Sequence, residues 1–205
     1  AVVTVNAETS SAKKGETLHD TIKTLDNYCD VHVLRHPRVG AAAEAAAVSS
    51  RPIINAGDGH GEHPTQALLD LFCVQNKLGR IDNLHYVLCG DLLYGRTAHS
   101  LTQLFALCSN VRLTLASPKE LRLPPAVKTL LDKLGVRFTE VERLDDKLLA
   151  STDVLYQTRV QRERFESEAA YEAVRHAFVL NAAALRALPT NSIIMHPLPR
   201  VDELH

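Results

Sequence analysis

Short apolar runs alternate with helical stretches along the chain, and this alternation constrains the fold more than any other feature of the sequence. Most runs are continuously apolar rather than alternating, which is typical of strands buried on both faces of a parallel sheet. The predicted strands cover residues 2–5, 31–34, 53–55, 84–89, 111–116, 136–139, 154–156 and 193–195. The predicted helices cover residues 16–28, 40–47, 65–78, 96–107, 125–134, 167–174 and 182–188. Strands and helices in this order form βαβ units, so we predict an α/β fold with parallel sheets.

One segment stands out as a candidate crossing between domains. Residues 51–61 are rich in Gly, Pro, Asn and Asp, and a predicted helix follows them. Such a composition favours a loop. We therefore interpret this segment as the connection between two α/β domains.

The composition excludes several classes of protein. Of the 205 residues 45% are hydrophobic, and 23 Lys and Arg side chains nearly balance 24 Asp and Glu side chains. Such a chain is neither intrinsically disordered nor a general nucleic-acid binder, which carries a basic excess. No apolar run approaches the roughly 18–20 residues that span a bilayer, so we expect no membrane partner. Four widely spaced cysteines favour reduced thiols in the cytoplasm over a disulfide framework or a zinc site.

Arginine recurs immediately after predicted strands, although the chain as a whole is almost neutral. Arg35, Arg96, Arg159 and Arg200 all lie within a few residues of a predicted strand end. Ligands of open α/β sheets bind beyond the carboxyl ends of the strands. Because a guanidinium pairs with both oxygens of a carboxylate or phosphate, the pattern predicts a site for a ligand with several anionic groups.

The segment Gly90-x4-Gly95-Arg96-Thr97 supports a rival interpretation. It differs by one residue from a phosphate-binding P-loop, and it follows a predicted strand and begins a helix. Arg96 stands where the P-loop has Lys, and Asp70 and Asp153 are only loose candidates for a magnesium ligand. A P-loop-like nucleotide binder is therefore the less favoured alternative.

Four residues with metal-ligand side chains lie close together, namely Asp58, His60, Glu62 and His63. The neighbouring Gly and Pro residues predict a loop rather than a helix that would align two imidazoles, so we favour a site without a metal. Pro64 suits the first turn of the next helix. At the positive end of that helix, a neutral His63 imidazole can donate one hydrogen bond to a substrate carbonyl.

The turn Pro197-Leu198-Pro199 follows the last predicted strand. An X–Pro peptide bond in such a turn can adopt the cis conformation. A cis bond here would direct the backbone carbonyl of Leu198 toward the ligand, whereas the alternative is an ordinary rigid surface turn.

The four cysteines, Cys29, Cys73, Cys89 and Cys108, are interpreted as core residues. Cys89 and Cys108 lie in apolar segments, where a thiol behaves as a small hydrophobic group. We find no adequate Cys–His or Ser–His–Asp arrangement in the sequence, so covalent catalysis has little support.

Six motifs together resemble the catalytic chain of the aspartate carbamoyltransferase family, in order and at matching spacing over essentially the whole chain. They are Lys13-Lys14-Gly15-Glu16-Thr17, Arg35-His36-Pro37, His63-Pro64-Thr65-Gln66, Gly95-Arg96-Thr97, Thr158-Arg159-Val160-Gln161 and His196-Pro197-Leu198-Pro199-Arg200. The related ornithine carbamoyltransferases normally have Cys where Pro197 stands. The resemblance implies transfer of the carbamoyl group from carbamoyl phosphate to L-aspartate in pyrimidine biosynthesis, with neither a metal nor an organic cofactor.

The resemblance also implies the residues that bind carbamoyl phosphate. Arg35 and His63 would be the catalytic residues that donate hydrogen bonds to its carbonyl oxygen, and Gln66 would contact its amide. The full set implied for this substrate is Ser10, Lys14, Arg35, His63, Gln66, Leu198 and Pro199.

A second set of residues is implied for L-aspartate. Arg96 would bind its α-carboxylate, and Arg159 and Gln161 would bind its side-chain carboxylate. The full set implied for this substrate is Lys14, Arg96, Arg159, Gln161 and Leu198.

The resemblance implies two Rossmann-like domains with the site between them. Residues 1–64 would be a partial carbamoyl-phosphate-binding domain and residues 65–205 the aspartate-binding domain. The first domain is expected to be incomplete, because the family's Ser-Thr-Arg-Thr segment and its C-terminal helix lie outside the matched region.

Ser10 and Lys14 match a loop that enters the neighbouring subunit's site, which implies a homotrimer with shared active sites. A regulatory chain or fused pyrimidine-pathway domains remain open as partners, and the runner-up function is a catalytically incompetent carbamoyltransferase-like assembly protein.

Overall fold

The structure is a computed structural model that describes residues 1–6 and 8–204. The chain divides into two compact units, Ala1–Thr65 and Gln66–His205. Each unit is built on a parallel sheet with helices packed against it. The predicted α/β fold class is therefore confirmed.

The first unit is built on two parallel strands, β1 (His32–His36) and β2 (Ile53–Asp58). Its helices are α1 (Leu18–Leu25) and α2 (Ala41–Val48), and a short 3-10 turn spans Ser11–Lys14. The alanine-rich α2 packs on α1 and on both strands. Ala41 and Ala45 are fully buried, since their small side chains allow the helix to approach closely.

Residues 2–5, predicted as a strand, do not form one. Val2 is 94% exposed and Val3 69% exposed. Valine favours an extended chain, but a strand also needs a neighbour for its backbone hydrogen bonds. Among the described residues of this unit, β1 and β2 pair only with each other, so the prediction was wrong for lack of a partner strand.

The second unit contains a five-stranded parallel sheet in the order β5-β4-β3-β6-β7. The strands are β3 (His85–Cys89), β4 (Arg112–Ala116), β5 (Phe138–Val141), β6 (Val154–Gln157) and β7 (Ile193–Met195). The helices are α3 (Pro64–Leu78), α4 (Arg96–Leu104), α5 (Pro125–Lys133), α6 (Asp146–Leu149), α7 (Glu168–Glu172) and α8 (Ala182–Ala187). No helix in the described part of the chain combines the length and the hydropathy needed to cross a membrane.

The sheet of the second unit is buried on both faces. Tyr86 and Leu88 of β3 belong to one apolar cluster, and Val87 and Cys89 belong to another. Successive side chains of a strand point to opposite faces, so the two clusters cover the two sides of β3. The continuous apolar run at residues 84–89 was thus correctly interpreted as a strand buried on both faces.

The order in which strands are added to the sheet reverses at β3, although all five strands run parallel. From β3 the chain runs through β4 to β5 on one side, and then returns to place β6 and β7 on the other side. The loops after β3 and β6 therefore leave the carboxyl edge of the sheet at a topological switch point, which is where open parallel sheets bind ligands.

The interpretation of all four cysteines as core residues was wrong for three of them. All four are free, and only Cys89 is fully buried, whereas Cys29, Cys73 and Cys108 are half-buried. Burial raises the pKa of the Cys89 and Cys108 thiols above the usual range. Cys29 Sγ lies 3.5 Å from His32 Nδ1 and 3.6 Å from His32 Nε2, so the thiol is aligned with the lone pair of neither ring nitrogen.

Gly90 lets the two loops at the switch point approach each other. Its φ is +106°, and a Cβ atom added there would lie 2.2 Å from the backbone oxygen of Thr158. The Thr158 hydroxyl in turn donates to the carbonyl oxygens of Cys89 and Asp91, at 3.0 and 3.1 Å. A side chain at residue 90 would therefore push the loop after β6 away from the loop after β3.

We expect Gly90→Ala to lower the free energy of unfolding of the full-length protein by at least about 3 kcal/mol, since it adds a backbone clash to an unfavourable φ. The matched control is Gly135→Ala, whose φ is +74° and whose added Cβ meets nothing within 4 Å. It should cost only about 1 kcal/mol. Urea unfolding measures both, and equal losses would contradict the role given to the close approach.

Candidate active site

The loops after β3 and β6 carry three of the predicted site residues. Arg96 is the first residue of α4, where its backbone N–H donates to the carbonyl of Tyr94 at 2.9 Å. Gln161 reaches back across the switch point, because its Nε2 donates to the same Tyr94 carbonyl, also at 2.9 Å. Arg159 lies two residues earlier in the same loop and is half-buried. The structure thus brings Arg96, Arg159 and Gln161 onto two loops in direct contact.

A buried carboxylate, that of Asp91, holds these two loops together. Its Oδ1 accepts from the backbone N–H of Tyr94 at 2.9 Å, and its Oδ2 accepts from the backbone N–H of Gln161 at 3.3 Å. Burial raises the pKa of Asp91, while the N–H groups of Tyr94, Gln161 and Leu93 act in the opposite direction. The conformation of both loops therefore depends on one residue that the sequence analysis did not select.

The same carboxylate argues against the nucleotide-binding alternative. A P-loop holds phosphate with the backbone N–H groups of its turn. Here the N–H groups of Leu93 and Tyr94 already donate to Asp91, an anion supplied by the chain itself. The two loose magnesium candidates also have internal partners. Asp153 Oδ2 accepts from the His85 backbone N–H at 2.7 Å, and Asp70 Oδ2 accepts from the Tyr156 hydroxyl at 2.6 Å.

The guanidinium of Arg159 already holds a carboxylate. Its two terminal nitrogens donate to the two carboxylate oxygens of Glu163, with the Nη1–Oε2 distance at 3.1 Å. The pairing lowers the pKa of Glu163 below its usual range. This fork-to-fork geometry is the one in which arginine recognises carboxylates.

The turn after β7 has an unusual backbone. The Leu198–Pro199 peptide bond is cis, and Leu198 has a φ of +59°, which is rare for a residue other than glycine. The backbone N–H of Leu198 donates to His196 Nδ1 at 2.8 Å, and His196 Nε2 lies 2.8 Å from Glu203 Oε1. Burial lowers the pKa of His196, and the neighbouring Glu203 acts in the opposite direction. The Leu198 side chain itself is 67% exposed, so it is not part of the apolar core.

Gln66, in the first turn of α3, is oriented by a buried pair. Its Nε2 donates to Asp70 Oδ1 at 3.0 Å, and the Tyr156 hydroxyl donates to the other oxygen of the same carboxylate. Burial raises the pKa of Asp70, and the bonds from Tyr156 and Gln66 partly offset it. Because Nε2 is engaged, the amide oxygen of Gln66 faces away from Asp70 and is the group left to accept a hydrogen bond.

In the first unit, Arg35 and His63 belong to the two-stranded sheet and the loop that follows it. Arg35 lies within β1 rather than after it, and its side chain is exposed. His63 directly precedes α3, and its Nδ1 lies 3.3 Å from Thr65 Oγ1. Pro64 begins the helix, as predicted.

Asp58 organises the loop that leads to His63. Its carboxylate is buried and accepts from the backbone N–H groups of Gly40 and Glu62, at 2.7 and 2.8 Å. It thereby links the N-terminus of α2 to the end of β2. No group of three or more His, Cys, Asp or Glu residues in the described part of the chain could hold a metal ion. Asp58 is therefore a structural residue of the loop.

Ser10 and Lys14 lie at the two ends of one short turn. The Ser10 hydroxyl accepts from the Ala12 backbone N–H at 3.3 Å and begins the 3-10 turn that Lys14 ends. Lys14 is exposed. This places a lysine ammonium on the surface of the first unit.

Three buried residues position the candidate site without having been predicted for that role, namely Asp91, Asp70 and Tyr156. Each is buried and acts through a neighbour that the motifs do include. An Asp directly after a buried strand, as at Asp91, was a usable signal. The pairing of Asp70 with Tyr156 joins residues 86 positions apart and left no signal in the sequence.

Two family models match the chain. Residues 1–76 match the model described as "Aspartate/ornithine carbamoyltransferase, carbamoyl-P binding domain". Residues 82–205 match the model described as "Aspartate/ornithine carbamoyltransferase, Asp/Orn binding domain". Together the two matches cover nearly the whole chain.

Individual relatives agree with these models. The chain is 49% identical over 200 residues to the aspartate carbamoyltransferase catalytic subunit of Thermococcus onnurineus, covering 98% of the chain and 64% of that protein. It is 45% identical over 204 residues to multifunctional protein pyr1-3 of Dictyostelium discoideum, covering 100% of the chain and 9% of that protein.

A solved structure is similar along the whole chain. It is aspartate transcarbamoylase from Trypanosoma cruzi in complex with carbamoyl phosphate and aspartate, at 44% identity and a TM-score of 0.89. The match covers 100% of the chain and 67% of that structure, so the chain spans about two thirds of such single-function relatives. The chain belongs to the aspartate/ornithine carbamoyltransferase family.

Proposed function

We propose that the protein transfers the carbamoyl group of carbamoyl phosphate to L-aspartate, giving N-carbamoyl-L-aspartate and phosphate for pyrimidine biosynthesis. One observation carries the proposal. Arg96, Arg159 and Gln161 share two contacting loops at the switch point of a parallel sheet, where two guanidinium groups and an amide suit a ligand with two carboxylates. The Trypanosoma cruzi relative, 44% identical, was solved with carbamoyl phosphate and aspartate.

For carbamoyl phosphate we assign Arg35 and His63 as donors to the carbonyl oxygen. The reaction develops negative charge on that oxygen, so a guanidinium and an imidazole N–H directed at it stabilise the transition state more than the ground state. Gln66 suits the carbamoyl NH2 group, because its amide oxygen is the free end of a side chain fixed by Asp70. Ser10, Lys14 and Pro199 complete this set by family resemblance.

For L-aspartate we assign Arg96 to the α-carboxylate, and Arg159 and Gln161 to the side-chain carboxylate. These three lie on loops that Asp91 joins, so the two carboxylate sites keep a fixed separation. A guanidinium at the second of these sites attracts the side-chain carboxylate of aspartate and repels the side-chain ammonium of ornithine, which is the chemical basis for preferring aspartate. Lys14 and the backbone carbonyl of Leu198 complete the set, the latter as an acceptor for the attacking amine.

The chemistry then requires positioning rather than a covalent enzyme intermediate. The neutral amine of aspartate attacks the carbamoyl carbon and forms a C–N bond, with the negative charge on the carbonyl oxygen. The tetrahedral intermediate breaks its C–O bond to phosphate, and phosphate leaves with the proton that the amine loses. Holding the two anions side by side supplies the effective concentration that this step needs.

The proposal extends to assembly and compartment. Lys14 on an exposed turn suits a loop that reaches a neighbouring subunit, which supports a homotrimer with shared sites. Fusion to other pyrimidine-pathway domains is supported by the multifunctional Dictyostelium relative, and a separate regulatory chain is the alternative. Four free cysteines support a reducing compartment such as the cytoplasm.

The direct test uses the full-length protein and radiolabelled carbamoyl phosphate. We expect labelled N-carbamoyl-L-aspartate to form only when L-aspartate is present. A trimeric preparation that forms none would overturn the proposal and favour an assembly protein without catalysis.

Arg159→Ala should raise the KM for aspartate by about 30- to 100-fold, because losing two charge-assisted hydrogen bonds costs roughly 2–3 kcal/mol. The KM for carbamoyl phosphate should change much less. Steady-state kinetics with each substrate varied in turn measures both. The matched control is Arg162→Ala, whose side chain is 66% exposed and pairs with Glu168, and which should leave both KM values within about twofold. Equal effects of Arg159→Ala on the two substrates would contradict its assignment.

Sharing of sites between subunits predicts complementation. At an aspartate concentration near the wild-type KM, Lys14→Ala and Arg159→Ala should each be nearly inactive. Random mixing of the two in trimers should restore about a quarter of the wild-type activity, since about one site in four then receives both intact residues. The control mixes Arg96→Ala with Arg159→Ala, whose lesions lie in the same half of the site. That mixture should remain inactive, and recovery equal to the first mixture would contradict the shared arrangement.

A further inference from the structure

A chain of side-chain hydrogen bonds links three elements of the second unit and ends at Gln66. Gln66 Nε2 donates to Asp70 Oδ1 at 3.0 Å within α3, and the hydroxyl of Tyr156 in β6 donates to Asp70 Oδ2 at 2.6 Å. The side chain of Thr97, in the first turn of α4, is hydrogen-bonded to Tyr156 in turn. Asp70 is only 4% exposed and Tyr156 is fully buried, so one end of Gln66 is fixed from the interior of the unit.

This chain gives the Gln66 amide a single orientation. Each oxygen of Asp70 already accepts one hydrogen, from an amide at one side and from a hydroxyl at the other, which is the arrangement of an ionised carboxylate. An ionised carboxylate only accepts, so it holds the NH2 of Gln66 and repels its oxygen. Turning the amide over would place two buried acceptors in contact, which is costly. The Gln66 oxygen therefore lies at the opposite end, and no partner for it is found in the part of the chain that the structure describes.

Tyr156 keeps Asp70 an acceptor. Burial raises the pKa of Asp70, and the bonds from Tyr156 and Gln66 act in the opposite direction. A protonated Asp70 would be able to donate to the Gln66 oxygen and so permit the reversed amide. The Tyr156 hydroxyl opposes this, because its own hydrogen already lies against Oδ2.

We propose that Asp70 is a positioning residue that determines specificity through Gln66, so that the site selects a phosphorylated donor with a carbamoyl NH2 over one with a methyl group. This rests on the proposed function, in which Gln66 contacts the carbamoyl amide. An oxygen held as an acceptor forms a hydrogen bond with NH2 and forms none with CH3, although the two groups are of similar size. Rejecting a methyl-bearing acyl phosphate prevents transfer of the wrong acyl group to the amine.

The test measures binding with two stable analogues of the donor. Phosphonoacetamide carries an NH2 group where acetonylphosphonate carries CH3. We expect the full-length wild-type protein to bind phosphonoacetamide at least about tenfold more tightly, since a buried acceptor left without its donor lowers affinity by about that factor. Isothermal titration calorimetry measures both dissociation constants. Affinities within twofold of each other would overturn the proposal.

Asp70→Asn removes the cause of the orientation with little change of shape. The new NH2 group can hold the Gln66 oxygen, which leaves the Gln66 NH2 facing the ligand. We expect phosphonoacetamide to bind about tenfold more weakly, and acetonylphosphonate within about twofold of wild type, which also reports a folded site. An unchanged preference would overturn the proposal. The matched control is Asp132→Asn, exposed on α5, which should leave both affinities within about twofold. An equal loss of preference in both variants would overturn the assignment to Asp70.

A charge-conserving double variant tests the same orientation if Asp70→Asn alone is unstable. Asp70→Asn combined with Gln66→Glu moves the carboxylate from one end of the hydrogen bond to the other. One Glu oxygen then accepts from the Asn NH2, and the other oxygen remains an acceptor for the ligand. We expect a preference of at least about fivefold for phosphonoacetamide to return. Equal binding of the two analogues would overturn the proposal.

Binding and turnover are separate measurements on the same preparation. A wild-type protein that prefers phosphonoacetamide but forms no N-carbamoyl-L-aspartate would overturn the proposed function and support selection of the NH2 group. A protein that forms this product but binds the two analogues equally would overturn the role of Asp70 alone.

Discussion

The buried carboxylate of Asp91 is the interaction on which the candidate aspartate site depends. It accepts backbone N–H groups from the loop after β3 and from the loop after β6, two segments 70 residues apart in the sequence. Burying a carboxylate is costly unless its oxygens are hydrogen-bonded, and here both are. As a result, Arg96 and Arg159 lie on two loops that one carboxylate joins. Gly90 makes the arrangement sterically feasible, since any side chain there would meet Thr158.

Two other aspartates in the first unit follow the same physical principle. Asp58 joins the N-terminus of α2 to the loop before His63, and Asp26 joins the end of α1 to Ser49 and Ser50 before β2. In each case a carboxylate satisfies backbone or hydroxyl donors that a short loop cannot pair internally. The loops that carry chemistry are therefore held by specific charge-assisted hydrogen bonds rather than by apolar packing.

Sequence patterns located most of the framework. The strand at residues 193–195 and the start of α4 at Arg96 were predicted with the observed bounds, because each is marked by a local signal, an apolar run or a glycine followed by a helical pattern. The strand at residues 2–5 was wrong, since valine content does not reveal whether a partner strand exists. The short helix α6 was missed, because four residues are too few to show a helical period. Among the candidate site residues, the arginines were selected because they lie close to predicted strand ends, whereas the buried residues that orient the loops gave no comparable pattern.

The sequence by itself determined the fold class, because periodicity is a local property, and its strand-end motifs predicted the carboxyl edge and the residue types for a ligand with several anionic groups. Only the tertiary structure decided the order of the strands, and with it that the loops after β3 and β6 flank one switch point. It also decided that the Asp91 carboxylate accepts from the backbone N–H groups of the Gly90 loop, and that Asp70 pairs with Tyr156. Those contacts depend on the exact approach of side chains to one another in the folded chain, which no local pattern encodes.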